Sequence, residues 1–329
     1  MKANFPKPSA LPVLASAHEV AARARWVFFH PERIDHAIGK WGHLLDSAPR
    51  WDHPCHFSDQ TEETVRWIFS LDVLNHCFWP DPGDPVWTVR FNGQDWSGYW
   101  GLAASLKRAL SMGIPVTNPA WLSRISENDL ARIFSGEGTI PLFAERLMNL
   151  REAGAVIVSQ LGGDLLSLFT RASGSAVRLV TDLVSLFASF RDEAVYLGGK
   201  VYFWKRAQIF ASDVFMAFEG KMWGCFHDIG SLTAFADYKL PQVLRELGII
   251  SYHPELAARI DALKFIGPGS EKEVEIRAMT IIAVHAIRAL FSQSGFNVTS
   301  AQVDGWLWAL GQYDAFRARP YHRCRTIFY

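Results

Sequence analysis

The sequence predicts a mainly α protein, a multi-helix globule with small β hairpins. Three observations carry this. Apolar residues recur at helical spacing through most of the chain. Two short stretches, Val86–Phe91 and Ala194–Phe203, read as strand-forming, with turns at Asn92-Gly93 and Gly198-Gly199. Hydrophobic residues make up 49% of the 329 positions against 20% charged, enough to pack a core without a disulfide or metal staple. No repeat or low-complexity linker divides the chain. It reads as a single domain over residues 1–329, with a two-lobe division near residue 195 as the weaker alternative.

The elements follow in order. Lys2 and Lys7 precede the apolar run Ala10–Ala17, loosely like a signal peptide. Pro12 interrupts that run, so it reads as a tail leading to a helix over Ala17–Val27 with Ser16 as cap. Residues 49–57 form a Pro- and His-rich loop. Asp59 and Glu62 then suggest a capping box, and Trp67, Leu71, Leu74 and Phe78 share one face of a helix running to about Phe78. The strand at Val86 and its Asn92-Gly93 turn precede a helix over Tyr99–Met112, closed by Gly113 and Pro115. Ser126 with Asp129 opens a short helix. Amphipathic helices are expected at 141–160, 163–172, 176–190 and 204–218. A further helix opens near Pro241 and stops at Gly248, and another spans 254–264. Ser270 with Glu273 caps a long helix to about Phe291, and Thr299 with Gln302 caps the last. The tail Pro320–Tyr329 is basic and aromatic.

Charge excludes some classes of function. Lys and Arg total 33 and Asp and Glu total 33, so the chain lacks the field with which non-specific nucleic-acid binders collect phosphates. No apolar run reaches membrane-spanning length. Cys55, Cys77, Cys225 and Cys324 form no C-x-x-C pair and read as reduced thiols of a cytoplasmic protein. Walker, G-x-G-x-x-G and G-x-S-x-G motifs do not occur. The 13 Trp suit a thick core or a pocket that stacks a flat ligand.

Five constellations could carry chemistry. His53, Cys55 and His56 are crowded for zinc and read better as loop groups or ligand contacts. Asp72, Asn75 and Trp79 could read the edge of a heterocycle, although periodicity favours a solvated helix surface. Lys205-Arg206 opens a helix, with Asp213 two turns on, and suits an anion or an ordinary charged surface. Asp237 follows an apolar run; it is either a partly desolvated catalytic carboxylate or a helix cap. Tyr321, His322, Arg323 and Arg325 in the tail could hold phosphate.

Several strings go further together. They are Asp72-Val-Leu-Asn75 with Phe78-Trp79; Tyr99-Trp100-Gly-Leu with Gly113-Ile-Pro115; Lys205-Arg206-Ala-Gln208; and Glu219-Gly-Lys221 with Gly224-Cys-Phe226 and Asp228. Phe235-Ala-Asp237-Tyr238, Leu240-Pro-Gln-Val243, Glu273-Val-Glu-Ile-Arg277, His322-Arg323 and Tyr329 complete the series. In this order they resemble the queuosine salvage protein family, the queuosine 5′-phosphate N-glycosylases. The resemblance spans about residue 20 to the C-terminus and is faint over 140–195.

The resemblance implies an N-glycosidase that releases queuine from queuosine 5′-phosphate, on a fold similar to the helix-hairpin-helix DNA glycosylases. Leu240–Gly248 lacks the glycine-rich turn with which such enzymes hold a DNA phosphate, which favours a free nucleotide. Asp237 is then expected to face the anomeric carbon, with Lys205 as a supporting cation. Asp72, Asn75 and Asp228 would read base or diol edges, and Phe78, Trp79 and Trp100 would stack. His53, Tyr238, Arg277, Tyr321, His322 and Arg323 would contact ribose or phosphate. Ala309 departs from the acidic residue expected there. No cofactor or metal is expected, and the partner is the small-molecule substrate, with no nucleic acid or membrane; the protein is expected to be a monomer. The alternatives are a glycosylase acting on nucleic acid and a non-catalytic binder of a modified base.

Overall fold

The structure is a computed structural model and describes residues 11–47 and 50–329. The expectations for Lys2, Lys7, Ala10 and Pro49 lie outside the described residues. The chain opens with α1 (Pro12–Ala21), β1 (Val27–Phe29) and α2 (Ile34–Trp41). Next come α3 (Glu62–Val73) and the hairpin of β2 (Thr88–Phe91) and β3 (Gln94–Ser97). The helices α4 (Gly98–Ser111), α5 (Pro119–Leu122), α6 (Glu127–Ile133), α7 (Phe143–Gln160), α8 (Ser167–Ala172) and α9 (Ala176–Leu186) follow. A second hairpin, β4 (Glu193–Tyr196) and β5 (Gly199–Tyr202), leads into α10 (Lys205–Ala217). Then come α11 (Lys239–Glu246), β6 (Ile250–Tyr252), α12 (Pro254–Asp261), α13 (Glu271–Gln293) and α14 (Ser300–Leu310). The architecture is mainly helical with small antiparallel strand pairs, β1–β6, β2–β3 and β4–β5. No helix among the described residues is long and apolar enough to cross a membrane.

These elements gather into two compact units. The first takes the described residues of Met1–Pro49 with Asp192–Gln208 and Asp228–Arg325; the second takes Arg50–Arg191, Ile209–His227 and Thr326–Tyr329.

The first unit is organised on α13. Its side chains from Glu273 to Val284 are all buried, as expected of a helix surrounded by other elements. It packs against α1, α2, α11, α14 and β1. One acidic side chain on this helix ties the amino-terminal segment to it. Glu275 Oε2 accepts the backbone N–H groups of Arg25, Trp26 and Val27 at 3.0, 2.6 and 3.1 Å. Its Oε1 accepts the Tyr196 hydroxyl at 2.8 Å. A carboxylate buried this completely persists because its lone pairs are filled by N–H and O–H donors.

The second unit is centred on α3, where Val65, Trp67, Ile68, Phe69 and Leu71 are fully enclosed. Phe69 meets the rings of Phe187, Phe190 and Phe210 at centroid distances of 5.3, 5.8 and 5.5 Å. Gly154 lets α7 approach α5; a Cβ there would collide with the backbone of Pro119 and Ser123.

Several boundaries differ from expectation, each for a local reason. Helix α1 begins at Pro12, because proline is favourable in a first turn. Ser16 is therefore inside the helix, donating to the Val13 carbonyl and accepting the Tyr202 N–H. The cap of α3 is Thr61, which Asp59 supports by accepting its N–H and hydroxyl. The same helix stops at Val73, so Asn75, Phe78 and Trp79 lie beyond it rather than on a helical stripe. The second hairpin turns at Leu197-Gly198, one residue early, with Tyr196 opposite Gly199, and Lys200 reaches Glu193 at 2.7 Å. Helix α11 opens at Lys239, two residues before Pro241. Strands β1 and β6 have no counterpart in the sequence reading.

Replacing Glu275 with Ala strands three backbone donors, which should cost about 3 kcal/mol or more. A lowered denaturant midpoint would show this, with Glu275→Gln falling between Ala and the wild type.

Candidate active site

The first unit contains an irregular strap, residues 232–237, that ends in Asp237. With no ladder or helix to fix it, its backbone groups need side-chain partners. Gln208 Oε1 accepts the Thr233 N–H at 2.8 Å. Asp304 Oδ2 accepts the Phe235 N–H at 2.7 Å. Arg277 Nε donates to the Ala236 carbonyl at 3.0 Å. Asp237 Oδ1 then accepts the N–H groups of Lys239 and Leu240 at 2.7 and 3.0 Å, so the carboxylate also serves the positive end of α11. Its Oδ2 has no hydrogen bond among the described residues. The two readings of Asp237, cap and half-buried carboxylate, thus describe different oxygens of one side chain.

Lys205 and Arg206 are buried, not surface charges. The N–H of Lys205 donates to Asp192 Oδ2 at 3.3 Å. The same carboxylate receives both terminal nitrogens of Arg277, at 2.8 and 2.5 Å, and Glu273 lies 3.5 Å from that guanidinium. The ion pair therefore links the backbone at Lys205 to the backbone ahead of Asp237. Arg277 itself is 2% exposed and also lies over the Phe203 ring at 3.9 Å.

Asp304, on α14, is buried beside this cluster. Burial raises its pKa to about 8; the Phe235 amide pulls it down, the charge of Asp237 raises it and that of Lys205 lowers it. At neutral pH it is a protonated acid, contributing no negative charge beside Asp237.

The tail residues have separate surroundings. The rings of Tyr238 and Tyr321 lie 4.8 Å apart. His322 is 1% exposed; burial, aided by the Arg277 charge, depresses its pKa to about 3, which keeps it neutral. The Arg323 carbonyl accepts the Ile266 N–H at 2.8 Å. Asp228 is half-buried at the start of a single helical turn.

The second unit carries the remaining candidates. Asp72 is completely buried, not solvated; its Oδ1 accepts the Asn75 amide at 3.4 Å. The loop after α3 is held by Arg146 of α7, which donates to the carbonyls of Leu74, His76 and Cys77 and lies 5.2 Å from the Phe78 ring. Trp79 is 2% exposed. Elsewhere His53 stacks on Trp100 at 3.6 Å and His56 on Trp51 at 3.9 Å. His56 also meets the Tyr99 hydroxyl at 2.8 Å, and burial lowers its pKa to about 3. Each of these imidazoles lies against a tryptophan ring.

Sequence reasoning missed Asp192, Asp304 and Arg146. Asp304 left one trace, a lone acid inside the apolar run Val303–Leu310. Asp192 and Arg146 left none, because their partners are distant in sequence.

Residues 55–329 match the family model described as queuosine salvage protein. The chain belongs to the queuosine salvage protein family. A protein of Sphaerobacter thermophilus named "Queuosine 5'-phosphate N-glycosylase/hydrolase" is 43% identical over 97% of this chain and 98% of its own length. Relatives of the same name are 38% identical in Nematostella vectensis, covering 84% of this chain and 85% of theirs, and 34% identical in Mus musculus, covering 95% and 97%.

The state of Asp304 gives a testable pH dependence. Its folded pKa of about 8 lies above its ordinary 3.8. Between these values the unfolded chain has lost the proton and the folded protein keeps it, so stability from this group falls as pH rises, by about 1.4 kcal/mol per unit. Asp304→Asn should therefore gain in unfolding temperature over the wild type from pH 5 to pH 8, then hold a constant lead. A difference independent of pH would refute the assignment.

Proposed function

We propose that this protein hydrolyses the N-glycosidic bond of queuosine 5′-phosphate and releases queuine for reuse in tRNA modification. Membership of the queuosine salvage family and the names of its relatives support the substrate. The observation that carries the chemistry is Asp237, whose Oδ1 is fixed by two amides while Oδ2 remains for a ligand.

Breaking a ribosyl C–N bond builds positive charge at the anomeric carbon, which a nearby carboxylate stabilises while it orients the attacking water. A purine can leave after protonation at N7. Queuine has carbon at that position, so the base must depart as an anion held by donors at its other heteroatoms, taking its proton later. The ribosyl side then carries more of the catalysis. Asp237 suits that role because its orientation is set before substrate arrives. Lys205 supplies a buried cation in the same unit, for the departing charge or the phosphate. Asp72, Asn75 and Asp228 are assigned to base or diol edges, and Phe78, Trp79 and Trp100 to stacking. His53, Tyr238, Tyr321, His322 and Arg323 are weaker contacts. Arg277 is already engaged by Asp192 and Ala236.

In this reading the protein is a cytoplasmic monomer acting on a free nucleotide, with a fold related to the helix-hairpin-helix glycosylases. The neutral net charge favours a small ligand over duplex DNA.

Chromatography with mass spectrometry should detect free queuine when the protein meets queuosine 5′-phosphate, with much less from queuosine, and no free guanine from guanosine 5′-phosphate. Asp237→Asn should lower the rate by roughly 100-fold or more. Intact nucleotide with the wild type would sink the reaction. Full hydrolysis by Asp237→Asn would sink the residue assignment alone.

A further inference from the structure

The strap 232–237 has no hydrogen-bond ladder of its own, yet it must deliver Asp237 in one position. Three buried side chains hold it, at Thr233, Phe235 and Ala236. Two of them have other tasks. Gln208 also donates to the Phe203 carbonyl at 2.9 Å, and Arg277 is paired with Asp192. The hydrogen bond made by the Asp304 carboxyl serves the strap alone, at 2.7 Å. It grips the amide two residues ahead of Asp237, on the side opposite in sequence to the α11 amides that fix the Asp237 carboxylate itself. An ionised carboxylate here would repel Asp237, and an apolar side chain would strand the Phe235 N–H.

We propose that Asp304 is a positioning residue for Asp237: by holding the Phe235 amide it fixes the strap whose last residue is the carboxylate. This rests on the reading that Asp237 acts at the anomeric carbon. The role needs an acceptor oxygen, not an acid. An amide in its place keeps the strap in position, whereas a side chain without oxygen releases it. Misplacing a reacting group by about 1 Å costs on the order of 100-fold in rate, while ligand contacts made elsewhere persist.

The test measures kcat and KM for queuosine 5′-phosphate with three variants. Asp304→Asn should stay within about threefold of the wild type in both constants. Asp304→Ala and Asp304→Leu, the latter filling the vacated volume, should lose roughly 30- to 100-fold in kcat with KM little changed. Near-normal kcat in a folded Ala or Leu variant would overturn the proposal. So would an Asn variant as impaired as Ala, since the acid itself would then be needed. A wild-type protein that releases no base defeats the functional reading only. The crystal structure of Asp304→Leu then decides this inference: a displaced Phe235–Asp237 backbone carries it, and an unmoved one overturns it.

Discussion

Asp192 and Arg277 meet in the first unit with side chains only 3% exposed. Taking two such charges out of water costs several kcal/mol per ion, repaid only when geometry is close and the remaining donors are filled. Here both conditions hold. The fork of Arg277 takes both carboxylate oxygens, its Nε takes the Ala236 carbonyl, and Asp192 also accepts the Lys205 N–H. The backbone at Lys205 and the backbone ahead of Asp237 therefore hang from one ion pair. Such a pair resists partial loss, because either charge left alone is far worse than both or neither. A fixed spacing between two loop-end residues needs that kind of all-or-none contact.

The second unit solves a related problem with one cation. Arg146, fully buried, gathers the carbonyls that become free where α3 ends. The Leu74 carbonyl lies at the negative end of that helix and those of His76 and Cys77 in the loop beyond, so the guanidinium both meets the helix end and shapes the loop carrying Asn75 and Phe78. In each unit a buried arginine does for irregular backbone what a strand ladder does for a sheet. This lets a mostly helical chain hold candidate binding residues on loops without leaving those loops loose.

How much of this was legible depends on the range of the interaction. The Asn92-Gly93 turn, the Ser126 and Thr299 capping boxes and the Ser270 cap were readable because donor and acceptor lie within a few residues. Strands β1 and β6 are three residues each and pair across most of the chain, so no local pattern marks them. Periodicity placed Asp72 on a solvated surface, and the ordinary reading of a charge at a helix start did the same for Lys205, because each treats charge as a sign of solvent. Both are interior groups, set among partners that the pattern cannot see. Asp237 stood on a string of matched residues rather than on any period. Of the residues that hold its strap, Gln208 and Arg277 fell within the matched strings, whereas Asp304, which binds a backbone N–H, was not singled out, and nor was Asp192, whose partner is a distant arginine.

The contact between Glu275 and the amides of Arg25 to Val27 bears on the order in which the molecule assembles. Arg25 and its anchor are 250 residues apart. At ~5–20 residues per second, roughly 12–50 s of synthesis separate their emergence from the ribosome. Residues 50–191, by contrast, form an unbroken stretch of the second unit and can begin to condense as they appear. The apolar face of α1, with Val13, Leu14, Ala17 and Val20, is made early; β5 reaches this helix first and α13 only later. During that interval the part of this face that α13 covers is a hydrophobic surface open to chaperones.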